Sequence, residues 1–309
     1  MKIKELWNKI RKGVKAGMAA ATESNVLTDN RVVSMIEKFK ASGKYELMKE
    51  GERYYQADND IKNRKITRKV DGHKEEETWR ANNKLAHAKY KVDEKIAYLL
   101  TKPVTYKTDG ADKNDTYVEK VKDVLGKHFQ YQLTQLGYEA SNKGIGWLHV
   151  YLDPEGELKT IVIPAEQCIP YWSDRSHTEL DAMIRVYNTT VWQYNQEKEI
   201  TNVEIWTKDG VKYYRLEGQM LVYDNDKSMD AGGPVAHYKS VEEWKTWGKV
   251  PFIPFKNNQI EMPDIKFVKS LIDGYDLGRS EAANYMDEVK NLIFVLKGYG
   301  GQNLSDFIK

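Results

Sequence analysis

The chain has 309 residues, 40% of them hydrophobic and 11% aromatic, enough to bury the core of one large globular domain or two smaller ones. Its 48 basic and 46 acidic side chains leave a formal net charge of +2, so bulk charge does not point to nucleic acid as a partner. A single cysteine, Cys168, excludes an internal disulfide framework and fits a reducing compartment, and no apolar run approaches the roughly 18 residues that cross a bilayer.

Residues 1–29 form a basic amphipathic segment. Ile3, Trp7, Ile10 and Val14 share one helical face and basic residues surround the rest, which suits a surface helix docked on its own domain or a contact with a membrane surface or a polyanion. Asp29 or Asn30 caps a helix carrying Val32, Val33, Ile36 and Phe39, which Gly43 stops, and a shorter helix carries Tyr45, Leu47, Met48 and Tyr54. The next stretch puts Lys62, Arg64, Lys65, Arg68 and Lys69 ahead of the acidic Glu75, Glu76 and Glu77. That switch of sign suits an exposed loop or hairpin, with DNA contact as a second reading.

Leu85, Ala88, Val92, Ile96, Leu99 and Leu100 lie on one face of a helix that Pro103 ends, and Val104 to Tyr106 are expected as strand. A further helix runs from about Asp115 to Ser141, interrupted near Gly126. From Gly144 the period drops to two residues. Hairpins are expected around Pro154-Glu155-Gly156 and Asp209-Gly210, residues 234–249 as loop, and "VPFIPFKNN" as an edge strand because proline cannot donate to a ladder.

The last long element, from Asp264 to about Leu296, would be on the order of 50 Å long as a continuous helix. Steps of three and four give an apolar stripe of Ile265, Val268, Ile272, Tyr275, Ala282, Met286, Val289, Ile293 and Leu296, broken by Arg279 and widened by Leu271, Tyr285 and Leu292. The opposite face holds Asp273, Ser280, Glu281, Asn284, Asp287, Glu288 and Asn291, with no lysine or arginine among them. Gly274 and Gly278 each weaken a helix by about 1 kcal/mol against alanine, so either a backbone approaches there or the helix bends, and a kink is expected. Beyond Gly298, "NLSDFIK" begins a capped turn that stops before it buries Phe307 and Ile308, and the sequence reads as unfinished.

"NNKLAHAKYKVDEKIAYLLTKPVTY", "GIGWLHVYLDPEGELKTIVIPAEQCIPYW", "VPFIPFKNN" and "LIDGYDLGRSEAANYMDEVKNLIFVLKGYGG", in that order, resemble the portal proteins of tailed bacteriophages with long non-contractile tails that infect Gram-positive hosts. The resemblance implies an α+β chain. A wing over 30–262 would hold helices at 30–141 and β-rich hairpins at 144–256, and 263–309 would be the first stem helix and the start of the clip. The clip proper, second stem helix, tunnel loop and crown would follow Lys309.

It also implies a homo-oligomeric ring, a dodecamer in the family, at one capsid vertex of the virion. Double-stranded DNA would pass through it without sequence recognition. The implied partners are the terminase packaging motor, head-tail connector, scaffold and major capsid proteins, with assembly in the host cytoplasm and neither membrane nor cofactor. Glu281, Asn284, Asp287, Glu288 and Asn291 would line the channel, and the apolar stripe would pack against neighbouring stem helices.

Covalent chemistry is not expected. The six histidines show no paired spacing, His149 reads as sheet packing beside Trp147 and Tyr151, Cys168 as a buried inert thiol, and there is no P-loop. The best enzymatic lead is Asp153 with Glu157-Leu158-Lys159, half of a metal-dependent nuclease site. It needs another acid on an adjoining strand, where the sequence offers Glu139 on a helix instead.

Overall fold

A computed structural model describes residues 27–70, 73–78, 87–107, 115–193, 196–227, 233–240 and 243–290, without the side chains of 65–90, 115, 193, 240, 287, 288 and 290. The basic segment at 1–26 lies outside them. The described residues form two units, one comprising residues up to Glu52 with Asp93–Asp264, the other Arg53–Val92 with Ile265 onward.

In the first unit, α1 (Asp29–Lys40) starts after Thr28, so Asp29 lies inside the first turn and favours the positive helix end instead of capping it. Ser42, not Gly43, separates α1 from α2 (Gly43–Tyr55): its hydroxyl accepts from the Tyr45 N–H, and Gly43 is the first residue of the new helix. The helix α3 (His87–Leu100) ends before Pro103 as expected, but 102–107 form no strand. The Val104 N–H donates to the Gln130 side chain at 3.4 Å, and without a ladder partner an extended segment does not become a strand. Gly126, at φ 70°, separates α4 (Asp115–Leu125) from α5 (Phe129–Lys143).

Two antiparallel sheets follow. One has the order β12-β3-β4, built from β3 (Ile145–Leu152), β4 (Leu158–Ile163) and β12 (Phe252–Lys256). Pro254 lies in the edge strand β12, where its missing N–H breaks no ladder. The other runs β5-β6-β7-β8-β9, from β5 (Cys168–Trp172), β6 (Leu180–Gln193), β7 (Gln196–Thr207), β8 (Gly210–Glu217) and β9 (Met220–Tyr223). The stretch expected as loop contains a small hairpin of β10 (Tyr238–Ser240) and β11 (Glu243–Lys245).

One core sets Val32 and Ile36 of α1 against Ile169, Ile184, Val203 and Ile205 of the larger sheet. A second joins Met48 to Ile145, Trp147, Cys168, Met183 and Phe252. Cys168 is buried among them, and burial pushes its thiol far above the ordinary range, as an inert packing residue requires. His149 packs against Trp206 and Phe252, its Nδ1–H donating to the Pro251 carbonyl at 3.0 Å. Burial lowers its pKa to about 4.

The second unit holds the hairpin of β1 (Lys65–Val70) and β2 (His73–Thr78), a short 3-10 turn at Asp60–Asn63, and α6 (Ile265–Lys290). Its core is Tyr54, Ile265 and Ile272.

Candidate assembly interface on the long helix

The 26 described residues of α6 run as an uninterrupted helix of about 39 Å through Gly274 and Gly278. Among the described residues nothing lies within 4 Å of where a Cβ would sit at either glycine, so no backbone of that set approaches them.

One side of α6 faces its own unit. Ile265, Ile272, Asp276 and Ser280, seven, four and four residues apart, are buried. A polar latch holds that side. Tyr54 donates to Asp273, the Asn59 side-chain amide donates to Asp276 at 2.6 Å, and Lys269 reaches Asp60 at 2.6 Å and Asp273 at 2.8 Å. Arg53 pairs with Asp60, and both Arg53 and Lys269 stand over the Tyr54 ring. Burial opposes the charge on Lys269, but Asp273 and Asp60 outweigh it and hold its pKa well above the usual lysine range. Burial likewise opposes the charge on Asp60, and Lys269 and Arg53 outweigh it, keeping the carboxyl acidic.

The other side is apolar and uncovered. Leu271 is 72% exposed, Tyr285 69% and Met286 68%, and Phe267, Tyr275 and Val289 join them. Leu271, Tyr275, Gly278, Ala282, Tyr285 and Val289 alternate steps of four and three, the spacing by which helices pack side by side.

The sequence-derived stripe is therefore divided. Tyr275, Ala282, Met286 and Val289 lie on the exposed side, whereas Ile272 is consumed by the core with Tyr54; Ile293 and Leu296 fall outside the described residues. The polar face divides too. Ser280 is buried and Asp273 engaged by Tyr54 and Lys269, so in its first turns this face is turned toward the chain's own unit; Glu281 is exposed and Asn284 half-buried. The side chains of Asp287 and Glu288, and all of Asn291, fall outside the described residues.

The basic cluster is partly neutralised. Lys62 bonds Asp58 at 2.6 Å, and the hairpin register puts Arg68 across from Glu75. Arg64 is exposed, and the side chains of Lys65, Arg68 and Lys69 are outside the described set. The nuclease-like residues lie on an exposed turn where Lys159 contacts Glu157 at 2.6 Å and Asp153 at 3.7 Å. Glu139 is bound to Lys143 at 2.8 Å and accepts from the Ala165 N–H, so it is not available to complete a metal site with them.

The latch under α6 was not legible in sequence, since Tyr54, Asn59 and Asp60 meet Lys269, Asp273 and Asp276 across more than 200 positions. A polar residue, Asp276, inside a helix that otherwise buries isoleucines was the available signal.

The family described as "Phage portal protein, SPP1 Gp6-like" matches residues 41–309. The portal protein of Bacillus phage SPP1 is 33% identical over 278 residues, covering 89% of this chain and 53% of that protein. The portal protein of Clostridium phage phiCD119 is 31% identical over 268 residues, covering 83% of this chain and 56% of that one. The chain thus spans about half the length of the curated relatives it matches. A family match over most of the chain, an α+β architecture with a long helix after the sheets, and an exposed apolar side on that helix lead to one identification: the chain belongs to the phage portal protein family.

Proposed function

We propose that this chain supplies the wing, residues 30–262, and the first stem helix of a portal ring at one vertex of a phage capsid. Double-stranded DNA is packaged and ejected through the ring without sequence recognition. The carrying observation is the exposed apolar side of α6, from Leu271 to Val289: copies arranged around an axis cover it with one another. Twelve copies, the family's number, form the ring. Its partners are the terminase motor, the head-tail connector, the scaffold and the major capsid protein, with assembly in the host cytoplasm before incorporation into the virion.

The channel side is the one carrying Glu281, Asn284, Asp287, Glu288 and Asn291. A wall without lysine or arginine there releases no counterions from DNA and lets the polymer slide. The protein performs no catalysis, and the energy for translocation comes from a separate ATPase.

Electron microscopy and mass measurement of the purified full polypeptide test the reading. Rings with a central hole are expected. Leu271→Glu combined with Tyr285→Glu should leave single copies that melt as the unmodified chain does, because both positions are exposed in the single chain. A full polypeptide that remains a single copy at every concentration would refute the proposal.

A further inference from the structure

The exposed apolar side of α6 is edged by charges of opposite sign. At about 100° of rotation per residue, Leu271, Gly278, Ala282, Tyr285 and Val289 fall within about 60° of one another and form a narrow seam. Arg279 stands about 80° to one side of the centre of that seam and Glu281 about 80° to the other. Both side chains are exposed.

Neither is paired among the described residues. Two positions apart on one helix, Arg279 and Glu281 face away from each other and cannot meet. Three and four residues from Glu281 stand Leu277, Gly278, Asn284 and Tyr285, none of them a cation. Asp276, three residues before Arg279, is buried and accepts from the Asn59 amide at 2.6 Å. No ion pair among the described residues includes Arg279 or Glu281. Two exposed charges of opposite sign therefore flank an apolar seam and lack partners in the same set.

Flanks of unlike sign select how copies of a helix pack. In an antiparallel pair each flank meets its own kind and like charges repel; in a parallel pair the arginine flank of one helix meets the glutamate flank of the next. Copies arranged around one axis run parallel and stand at one height. Arg279 and Glu281 suit that arrangement, because two residues differ by only about 3 Å along a helix, within reach of an arginine side chain. Between them the seam is thin. Nothing among the described residues lies within 4 Å of a Cβ placed on Gly278, and Ala282 follows it, so a neighbouring helix can come close.

We infer that Arg279 of one copy pairs with Glu281 of the next, and that this pair fixes the parallel, level register of the long helices. The inference rests on the ring reading above and names the contact that orients it. Glu281 stands where the seam borders the proposed channel side, so an arginine neutralised there adds no free cation to that wall.

In the full polypeptide, Arg279→Glu puts acid on both flanks and Glu281→Arg puts base on both. Each alone should lower ring yield roughly tenfold or more, counted by electron microscopy and mass measurement. Added salt should shrink that loss. Arg279→Glu combined with Glu281→Arg in one chain should restore rings. So should an equimolar mixture of the two single variants, as alternating rings whose mass shows equal numbers of each. Circular dichroism should be unchanged throughout, both positions being exposed.

Rings that form as readily with Arg279→Glu as without it overturn the pair and leave the ring reading standing. Single variants that fail and are not restored by mixing overturn it as well, because the two positions then matter without meeting. An unmodified polypeptide that forms no rings removes the ring reading, and this inference with it.

Discussion

Glu261 adopts φ 54°, a backbone region that side chains other than glycine rarely enter, and its side chain is nearly buried. What holds it there is a set of nitrogen partners: Lys44 at 2.7 Å, the His177 Nδ1 at 2.8 Å and Lys256 at 3.2 Å. Burial works against the carboxylate, but these partners prevail and bring its pKa down to about 2. Asp264 is gripped similarly by Lys95, Ser141 and Asn257, so the loop 257–264 is braced at both ends.

These groups make stability depend on pH. His149, with a folded pKa near 4 against an ordinary value of 6.5, binds fewer protons folded than unfolded between those values. Its contribution is complete above pH 6.5 and fades as the pH falls toward 4, a loss of about 3 kcal/mol. Glu261 adds a second loss between about 4.5 and 2. Denaturant titrations from pH 7.5 to 4 should show stability declining before most carboxylates titrate, and His149→Phe should flatten the upper part of that decline.

At the level of elements, glycines separate two kinds of requirement. Gly144 closes α5 in the left-handed region at φ 89°, and a Cβ there would meet the Glu261 carbonyl oxygen at 2.3 Å. Gly144→Ala combines an unfavourable φ with a backbone clash and should cost about 3 kcal/mol or more in thermal or chemical unfolding. Gly278 has no such constraint, since open space surrounds it. In a chain kept monomeric by Leu271→Glu and Tyr285→Glu, Gly278→Ala should stabilise α6 by about 1 kcal/mol through helix propensity alone. The two substitutions, chemically identical, should therefore shift unfolding in opposite directions.

For the whole molecule, the balance of charge sets what DNA can feel. Net charge is close to zero, and Lys62 is bonded to Asp58 while Arg68 stands across from Glu75 in the hairpin register. A single copy should therefore bind duplex DNA weakly, with a salt dependence corresponding to few phosphate contacts, whether measured by anisotropy or by filter binding. Steep salt dependence would instead favour the basic cluster of Lys62, Arg64, Lys65, Arg68 and Lys69 as a dedicated DNA surface. The proposed conduit would need confinement more than affinity, so weak binding by a single copy is compatible with it.

Local signals determined much of this architecture. Alternation of period two placed the hairpins around Gly156 and Gly210, Gly126 marked the break between α4 and α5, and heptad spacing announced the long helix, because each of these follows from backbone geometry within a few residues. Extending Val104 to Tyr106 as a strand failed for want of a partner, and a strand exists only by pairing. Tertiary structure alone decided which side of α6 turns inward. A helix with polar and apolar stripes can be buried on either, and the choice fell to Tyr54, Asn59 and Asp60, distant in sequence, whose hydrogen bonds engage Asp273, Asp276 and Lys269 and leave Leu271 and Tyr285 outside.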